Sequence, residues 1–223
     1  MLGRKKQTQE FAVIGLGRFG TSVALMLEEH GHTVLGIDQD RALVQQIAGE
    51  ITQAVVLDST DEEALKAVDI TEFETVIVAI GTDFEANLLT TAAMKDLGVR
   101  RVIAKAQTPR QREILLRVGA DRVIRPEDAA GRRLAEELST PAMLEKLPLG
   151  PQHSVLELKV PAKLAWKTLA QSDLRAEYGI TVLVVKRGDD IIVSPPAECV
   201  LQEDDILVVL GENTAVTAFA GLA

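Results

Sequence analysis

Short apolar runs alternate with longer stretches of helical periodicity in the first part of the chain. The runs are β-branched and continuous rather than strictly alternating, as expected for strands whose two faces are both covered by helices. They are Phe11 to Ile14, Thr33 to Ile37, Ala54 to Leu57, Thr75 to Ile80, Arg101 to Ala104 and Arg122 to Ile124. Strands joined by helical crossovers predict an α/β fold, with a Rossmann-like, doubly wound parallel sheet.

The stretches between these runs carry signals that end helices. A helix over Phe19 to His30 is followed by Gly31, and a helix over Arg110 to Val118 is followed by Gly119. Glycine at these positions is typical of a helix C-terminus. The last helix of this part is expected to begin at Pro126 and to run to about residue 138.

A proline- and glycine-rich stretch from Ser139 to Gln152 resists long regular structure, although a short helix over Ala142 to Leu147 is compatible with it. The pattern beyond it changes to strands with one or two short helices, and the strands are Ser154 to Val160, Ile180 to Lys186, Ile191 to Ser194 and Ile206 to Leu210. We therefore predict an N-terminal domain (1–139), a linker (140–152) and a small α+β C-terminal domain (153–223).

Composition excludes several classes of protein. The net charge is −9, and aromatic residues make up 3% of the 223 residues, so the chain lacks the basic surface and stacking platforms of a nucleic-acid binder. No apolar stretch is long enough to cross a bilayer, which predicts a cytoplasmic protein. The single cysteine, Cys199, and three scattered histidines predict neither a disulfide nor a transition-metal cluster.

A glycine motif follows the first predicted strand directly and opens the first helix. In Gly15-Leu16-Gly17-Arg18-Phe19-Gly20, the glycines permit a tight turn, close approach of a phosphate and close helix packing. Asp38 ends the second strand at about the spacing expected for a carboxylate that binds ribose hydroxyls. The alternatives are a purely structural turn and a helix-capping role for Asp38.

Ligands of such sheets lie over the carboxyl ends of the strands, which predicts the other walls of the site. They are Gln39 and Asp40 beside Asp38, Asp58 and Ser59 after the third strand, Ile80, Gly81 and Thr82 after the fourth, and Lys105, Ala106 and Gln107 after the fifth. For Asp58 the alternative is an N-cap of the following helix.

The charge of Arg18 is unexpected in a loop that needs only backbone N–H groups to hold a pyrophosphate. It is either a solvated surface charge or a contact for more anionic charge than a dinucleotide carries. The second domain shows no recognisable acid/base arrangement for an oxidoreductase, so ligand binding is favoured over catalysis.

Several segments together resemble KtrA-type regulatory subunits of bacterial potassium transport systems, which consist of an RCK (KTN) domain. They are the run from Phe11 to Gly20, Val76 to Gly81, Lys105 to Gln107, and Gly119 to Ile124 with Pro126 and Glu127. The C-terminal segment, with Tyr178-Gly179, Ser194-Pro195-Pro196, Asp204-Asp205 and Gly211, is similar to the TrkA-C domain. The resemblance spans nearly the whole chain and implies a nucleotide-binding RCK N-terminal domain followed by the RCK C-terminal domain.

The resemblance implies a regulatory rather than an enzymatic role. Homodimers would assemble into an octameric ring on the cytoplasmic face of a membrane potassium pore subunit, and ATP and ADP would favour different ring shapes. Arg18 would approach the γ-phosphate of a nucleotide held by a neighbouring subunit. Glu127 would lie near the terminal phosphates, bridged to them by Mg²⁺ or Ca²⁺.

Other features leave alternatives open. Gln111 stands where a relative carries a nucleotide-contacting histidine, which puts that contact in doubt. Related C-terminal domains bind cyclic di-AMP, for which Arg175 is the nearest candidate, against a plain dimerisation module. The functional alternatives are an NAD(H)-sensing regulator of this family and a small NAD(P)-dependent oxidoreductase.

Overall fold

The computed structural model describes residues 8–139 and 143–222 and divides between Ala129 and Ala130 into two compact units. The N-terminal unit contains a six-stranded parallel sheet in the order β3-β2-β1-β4-β5-β6. Its strands are β1 (Glu10–Ile14), β2 (Thr33–Asp38), β3 (Gln53–Val56), β4 (Thr75–Val78), β5 (Arg101–Lys105) and β6 (Arg122–Ile124). The predicted doubly wound parallel sheet is confirmed.

Helices alternate with these strands along the chain. They are α1 (Arg18–Glu29), α2 (Arg41–Ile47), α3 (Glu62–Ala67), α4 (Phe84–Asp96), α5 (Pro109–Val118) and α6 (Pro126–Ser139), with a 3-10 turn at Ile70–Glu72. Gly119 ends α5 at φ +117, and Gly31 follows α1 at φ +82. Both glycines thus adopt the left-handed conformation that the sequence predicts at these helix ends.

Two apolar clusters lie on opposite faces of the N-terminal sheet. Ala12 and Ile14 of β1 pack in one cluster with Met94 and Leu115. Val13, between them, packs in the other cluster with helix residues that include Ala24. Because successive strand residues point to opposite faces, this alternation shows that both faces of the sheet are covered.

The C-terminal unit contains an antiparallel five-stranded sheet in the order β10-β9-β11-β8-β7. Its strands are β7 (Met143–Pro148), β8 (His153–Lys159), β9 (Thr181–Arg187), β10 (Asp190–Val193) and β11 (Ile206–Glu212). Its helices are α7 (Leu169–Ser172), α8 (Leu174–Tyr178) and α9 (Asn213–Ala220), with a 3-10 turn at Ala162–Leu164. The small α+β fold is confirmed, and Gly188 and Asp189 form the hairpin turn between β9 and β10.

The short helix considered for residues 142–147 was wrong where the structure describes it. Residues Met143–Pro148 form β7, which pairs with β8, while residues 140–142 lie outside the described part of the chain. Without β7, one edge of β8 would carry unpaired backbone N–H and C=O groups. Residues 143–148 pair with that edge as a strand and satisfy these groups. The domain boundaries at 139 and 152 stay a prediction.

Within the described ranges, we find no helix that combines the length and apolarity needed to span a membrane.

Candidate functional site

The three glycines of the motif occupy three different environments. Gly15 adopts φ +95, and a Cβ there would lie 2.9 Å from the backbone nitrogen of Ile80. A Cβ at Gly20 would lie 1.8 Å from the carbonyl oxygen of Gly15. At Gly17, by contrast, a Cβ would meet none of the described atoms within 4 Å. Gly15 and Gly20 are thus required by the fold, whereas Gly17 leaves the backbone open to an incoming group.

Asp38 fixes the glycine turn from the end of β2. Its Oδ2 accepts a hydrogen bond from the Leu16 amide at 2.7 Å, and its Oδ1 accepts one from the Asp40 amide at 2.8 Å. Each carboxylate oxygen retains a further lone pair for a ribose hydroxyl. Asp40, rather than Asp38, caps α2 by accepting a hydrogen bond from Ala42, so the capping alternative for Asp38 was wrong.

Charged groups meet at the opposite side of the glycine turn. The Nζ of Lys105, at the end of β5, lies 2.8 Å from Oε1 of Glu127 in the first turn of α6 and 5.7 Å from the centre of the Phe19 ring. A Cβ at Gly81 would lie 3.4 Å from the same Nζ. We call Arg18, Lys105 and Glu127 the charged cluster.

The charged cluster keeps its carboxylate ionised and partly accessible. The hydrogen bond from Lys105, together with the helix N-terminus and the positive charge of Arg18, lowers the pKa of Glu127 below its ordinary value. The Lys105 side chain is 10% exposed and that of Glu127 is 65% exposed. Arg18 is exposed at the first position of α1. The cluster therefore combines an exposed cation, Arg18, with an exposed carboxylate, Glu127, whose partner Lys105 is mostly buried.

The residues after β3 lie in a different setting. Asp58 is exposed and accepts hydrogen bonds from the backbone and the hydroxyl of Thr60, which lower its pKa. Asp61, three residues later, caps α3, so the N-cap alternative for Asp58 was wrong. The hydroxyl of Ser59 is buried against Thr90 of α4 at 2.9 Å. The Ser59 hydroxyl is therefore used in packing against α4.

The remaining predicted residues differ in their exposure. Gln39, Thr82 and Gln107 are exposed, Ile80 is half-buried and Ala106 is buried. The Oε1 of Gln111 accepts hydrogen bonds from the amides of Gln107 and Thr108, as part of the capping box of α5. This capping role accounts for Gln111 without a ligand.

Sequence reasoning missed Asn87, which is buried at 1% exposure in α4. Its Nδ2 donates hydrogen bonds to the carbonyl oxygens of Ile80 and Lys105 at 2.6 and 3.0 Å. It therefore connects the ends of β4 and β5. The helical pattern gave no sign of this role, although a buried amide requires such partners.

Three further residues, Arg175, Trp166 and Cys199, lie in the C-terminal unit. Arg175 is exposed in α8, and Trp166 is 68% exposed with a left-handed φ of +66. Exposure excludes a core role for Trp166 within this unit. Cys199 is partly buried and packs against the core of the unit, as a small apolar residue does.

The fold and this site define a two-domain class in which a TrkA-N domain precedes a TrkA-C domain. The TrkA-N domain family matches residues 11–126, and the TrkA-C domain family matches residues 155–222. The chain therefore belongs to the TrkA-N/TrkA-C family, the RCK-type proteins of potassium uptake.

Curated relatives are similar over nearly the whole chain. Ktr system potassium uptake protein C of Bacillus subtilis is 41% identical over 95% of this chain and 96% of its own length. Ktr system potassium uptake protein A of the same organism is 39% identical over 98% of each chain. These relatives are named as potassium uptake proteins and not as enzymes. This agrees with the expectation of a regulatory, non-catalytic chain and gives the oxidoreductase alternative no support.

Solved structures share the fold. The GsuK channel superposes with a TM-score of 0.67 at 20% identity over 98% of this chain, which spans 40% of the channel's length. The GsuK channel bound to NAD gives a TM-score of 0.57 at 23% identity, covering 99% of this chain and 39% of that one.

Proposed function

We propose that the chain is a cytoplasmic, nucleotide-sensing regulatory subunit that gates a membrane potassium uptake pore. One observation carries the proposal: a glycine turn open at Gly17 lies between the Asp38 carboxylate, which is suited to accept hydrogen bonds from ribose hydroxyls, and the charged cluster. This arrangement offers a hydroxyl acceptor at one end and cations at the other, as an adenine nucleotide with several phosphates requires.

The finer proposal is that ATP and ADP switch an octameric ring of homodimers docked on the inner face of the membrane. Such a switch requires differential affinity of each nucleotide for two ring shapes. Arg18, exposed at the start of α1, is suited to contact the terminal phosphate of a nucleotide in a neighbouring subunit. Through that contact, the γ-phosphate bound in one subunit would interact directly with the neighbouring subunit.

A divalent cation fits the charged cluster only with help from the ligand. The described residues contain no group of three or more His, Cys, Asp or Glu side chains that is able to hold a metal ion. Glu127 supplies one ionised carboxylate, and Mg²⁺ is typically held by one or two carboxylates with phosphate oxygens. Glu127 would therefore hold Mg²⁺ or Ca²⁺ jointly with the nucleotide, and the cation would neutralise the facing negative charges.

The second candidate is an NAD(H)-sensing regulator, which the NAD-bound GsuK channel of similar fold favours. Competition calorimetry on the full chain with ATP, ADP, NAD⁺ and NADH separates the two. We expect ATP and ADP to bind more tightly than either dinucleotide. Tight NADH binding with weak ATP binding would overturn the ATP/ADP proposal in favour of the second candidate.

Cyclic di-AMP binding at the C-terminal domain stays a proposal that rests on the family resemblance. Arg175 is exposed and so remains available to a phosphate. Titration of the full chain with cyclic di-AMP, with Arg175→Ala as the variant, separates a ligand site from a plain dimerisation module.

A further inference from the structure

The N-terminal half of α4 carries a row of polar side chains that are fully buried. Asn87, Thr90 and Thr91 are 1%, 0% and 0% exposed. Their spacing of three and four residues places them on one face of the helix. Buried polar groups require hydrogen-bond partners, and the partners of this row include backbone atoms at the carboxyl ends of strands.

Asn87 uses both of its N–H groups on two neighbouring strand ends. One hydrogen bond goes to Ile80, just after β4, and the other goes to Lys105, the last residue of β5. The registered pairing of these two strands ends at Val78 and Ala104, before either carbonyl. Asn87 therefore continues the connection between the strands beyond the point where the sheet itself stops.

These two strand ends carry the half of the site nearest the charged cluster. Gly81 follows Ile80, and the Cβ position of Gly81 lies 3.4 Å from the Lys105 Nζ. The sheet order places β2, with Asp38, on one side of β1 and places β4 and β5 on the other. A nucleotide whose ribose lies at Asp38 therefore extends its phosphates toward Lys105.

We propose that Asn87 is a positioning residue that holds the Gly81 backbone and the Lys105 side chain in place for the terminal phosphates. The inference rests on the proposed nucleotide site and deepens it. Asn87 acts through Lys105 and Gly81, so its loss weakens nucleotides with three phosphates more than nucleotides with one.

The test compares ATP and AMP affinities by calorimetry on the full chain for wild type, Asn87→Ala and Asn87→Asp. Alanine has no donor, and an aspartate carboxylate accepts rather than donates hydrogen bonds. We expect ATP affinity to fall roughly tenfold, the lower end of the effect seen for residues that orient metal ligands without touching the bound ion. AMP affinity changes much less, so the ratio of ATP affinity to AMP affinity falls.

Val99→Ala is the matched control because Val99 is buried just beyond the C-terminal end of α4, at 2% exposure. This variant loses apolar packing and lowers the melting temperature, but it leaves both strand ends intact. We expect its ATP/AMP ratio to equal that of wild type. An equal narrowing of the ratio in Val99→Ala would overturn the proposal, since general destabilisation would then explain the effect.

A double-mutant cycle with Lys105→Gln tests whether Asn87 acts through Lys105. The effects on ATP affinity are expected to be strongly non-additive, because once the Lys105 ammonium is absent its placement no longer matters. Additive effects would overturn the proposal. If both Asn87 variants fail to fold, Thr91→Val, which removes a hydroxyl 3.4 Å from the Asn87 Oδ1, is expected to narrow the ratio in the same direction, and an unchanged ratio overturns the proposal.

Failure of the positioning role is distinguishable from failure of the nucleotide site. Wild-type chain that binds neither ATP nor AMP contradicts the proposed function itself. Wild-type chain that binds ATP more tightly than AMP, with the same ratio in the Asn87 variants, contradicts only the positioning role.

Discussion

Each unit of the chain contains a cation–carboxylate pair, and the two pairs are built for different purposes. In the C-terminal unit, Asp205 is 1% exposed and accepts two hydrogen bonds from Arg187, at 2.8 and 2.7 Å, and a third from the Gln202 amide. In the N-terminal unit, Glu127 is largely exposed and contacts Lys105 through one oxygen. In the closed pair the carboxylate is the buried partner, whereas in the open pair the carboxylate is exposed and the lysine side chain is 10% exposed. A closed pair of this kind stabilises a fold, whereas an open pair leaves its carboxylate accessible.

The pKa values reflect this contrast. Burial alone would raise the pKa of Asp205, but the hydrogen bonds and charge of Arg187 outweigh burial and lower it. The pKa of Glu127 is lowered mainly by one hydrogen bond from Lys105. A phosphate bound in the proposed site would compete with Glu127 for that lysine, whereas Asp205 is 1% exposed.

The largest expected effect is that of Asp205→Ala on the stability of the C-terminal unit. Removing one member of a buried pair costs about 3 kcal/mol, because the remaining charge and the Gln202 amide lose their acceptor. Denaturant unfolding of the full chain measures this loss. Glu157→Gln, at the less buried Lys186–Glu157 pair, is the control, with a change below about 1 kcal/mol.

Asp205 also predicts a pH dependence of stability. Since its folded pKa lies below the ordinary value of about 3.9, its contribution is present above that pH and is lost as pH falls through the folded pKa. We expect Asp205→Asn to be less stable than wild type at neutral pH and to lose less stability on acidification. Parallel pH curves for the two proteins would contradict this assignment.

The second prediction compares substitutions at a glycine that the fold requires, Gly20, and at the glycine open to a ligand, Gly17. Gly20→Ala places a methyl group against the backbone of Gly15 and should destabilise the N-terminal unit by about 3 kcal/mol. Gly17→Ala meets open space and should leave stability within about 0.5 kcal/mol while weakening ATP binding. Thermal unfolding and calorimetry on the same samples measure both. Wild-type ATP affinity in Gly17→Ala would contradict the proposal that a phosphate approaches the backbone at Gly17.

The third effect concerns Arg18, the cation of the charged cluster that lies outside the pair. Arg18→Ala should narrow the preference for ATP over ADP by about tenfold, since a charge-assisted hydrogen bond contributes about 1.5–3 kcal/mol. Arg117→Ala, an exposed arginine in the last turn of α5, is the control and should change nothing. If Arg18→Ala keeps the wild-type preference for ATP over ADP, Arg18 is a solvated surface charge and not a phosphate contact.

The smallest effect is expected for Glu127→Gln, which replaces the carboxylate of the open pair by a neutral amide. The variant should lose the increase of ATP affinity that Mg²⁺ gives to wild type, because the cation loses its protein ligand. Asp128→Asn, which alters the neighbouring pair with Arg125, is the control. Titration with ATP in the presence of Mg²⁺ or of a chelator measures the difference, and an unchanged Mg²⁺ effect contradicts the role of Glu127.

Sequence reasoning predicted the N-terminal unit well because its signals are local. Continuous β-branched runs mark strands buried on both faces, and the motif from Gly15 to Gly20 fixes its own turn. By contrast, β7 has no strand pattern, and it forms because the adjacent edge of β8 offers backbone partners. Pro148 at the end of β7 is compatible with the edge of a sheet, where no further strand needs its missing N–H.

Contacts between distant parts of the chain were the least predictable features of the site. Asn87 reads as an ordinary polar residue of a helix, and only the three-dimensional fold places its amide between Ile80 and Lys105. Similarly, Asp58 and Asp61 are both suitable helix caps by sequence, and the geometry of the loop selects Asp61. Spacing predicts a site at these strand ends, and tertiary packing decides which side chains remain exposed there.

The central position of β1 between β2 and β4 has a consequence for the assembly of the protein during synthesis. Val34, one strand partner of Phe11, is made soon after it, but the second partner, Thr75, is made some forty residues later. Pairing between such distant segments slows folding. The glycine turn meets the Ala79–Ile80 backbone only once β4 has docked, so a ligand site at this turn would be completed late, and a ligand bound there would stabilise the completed sheet.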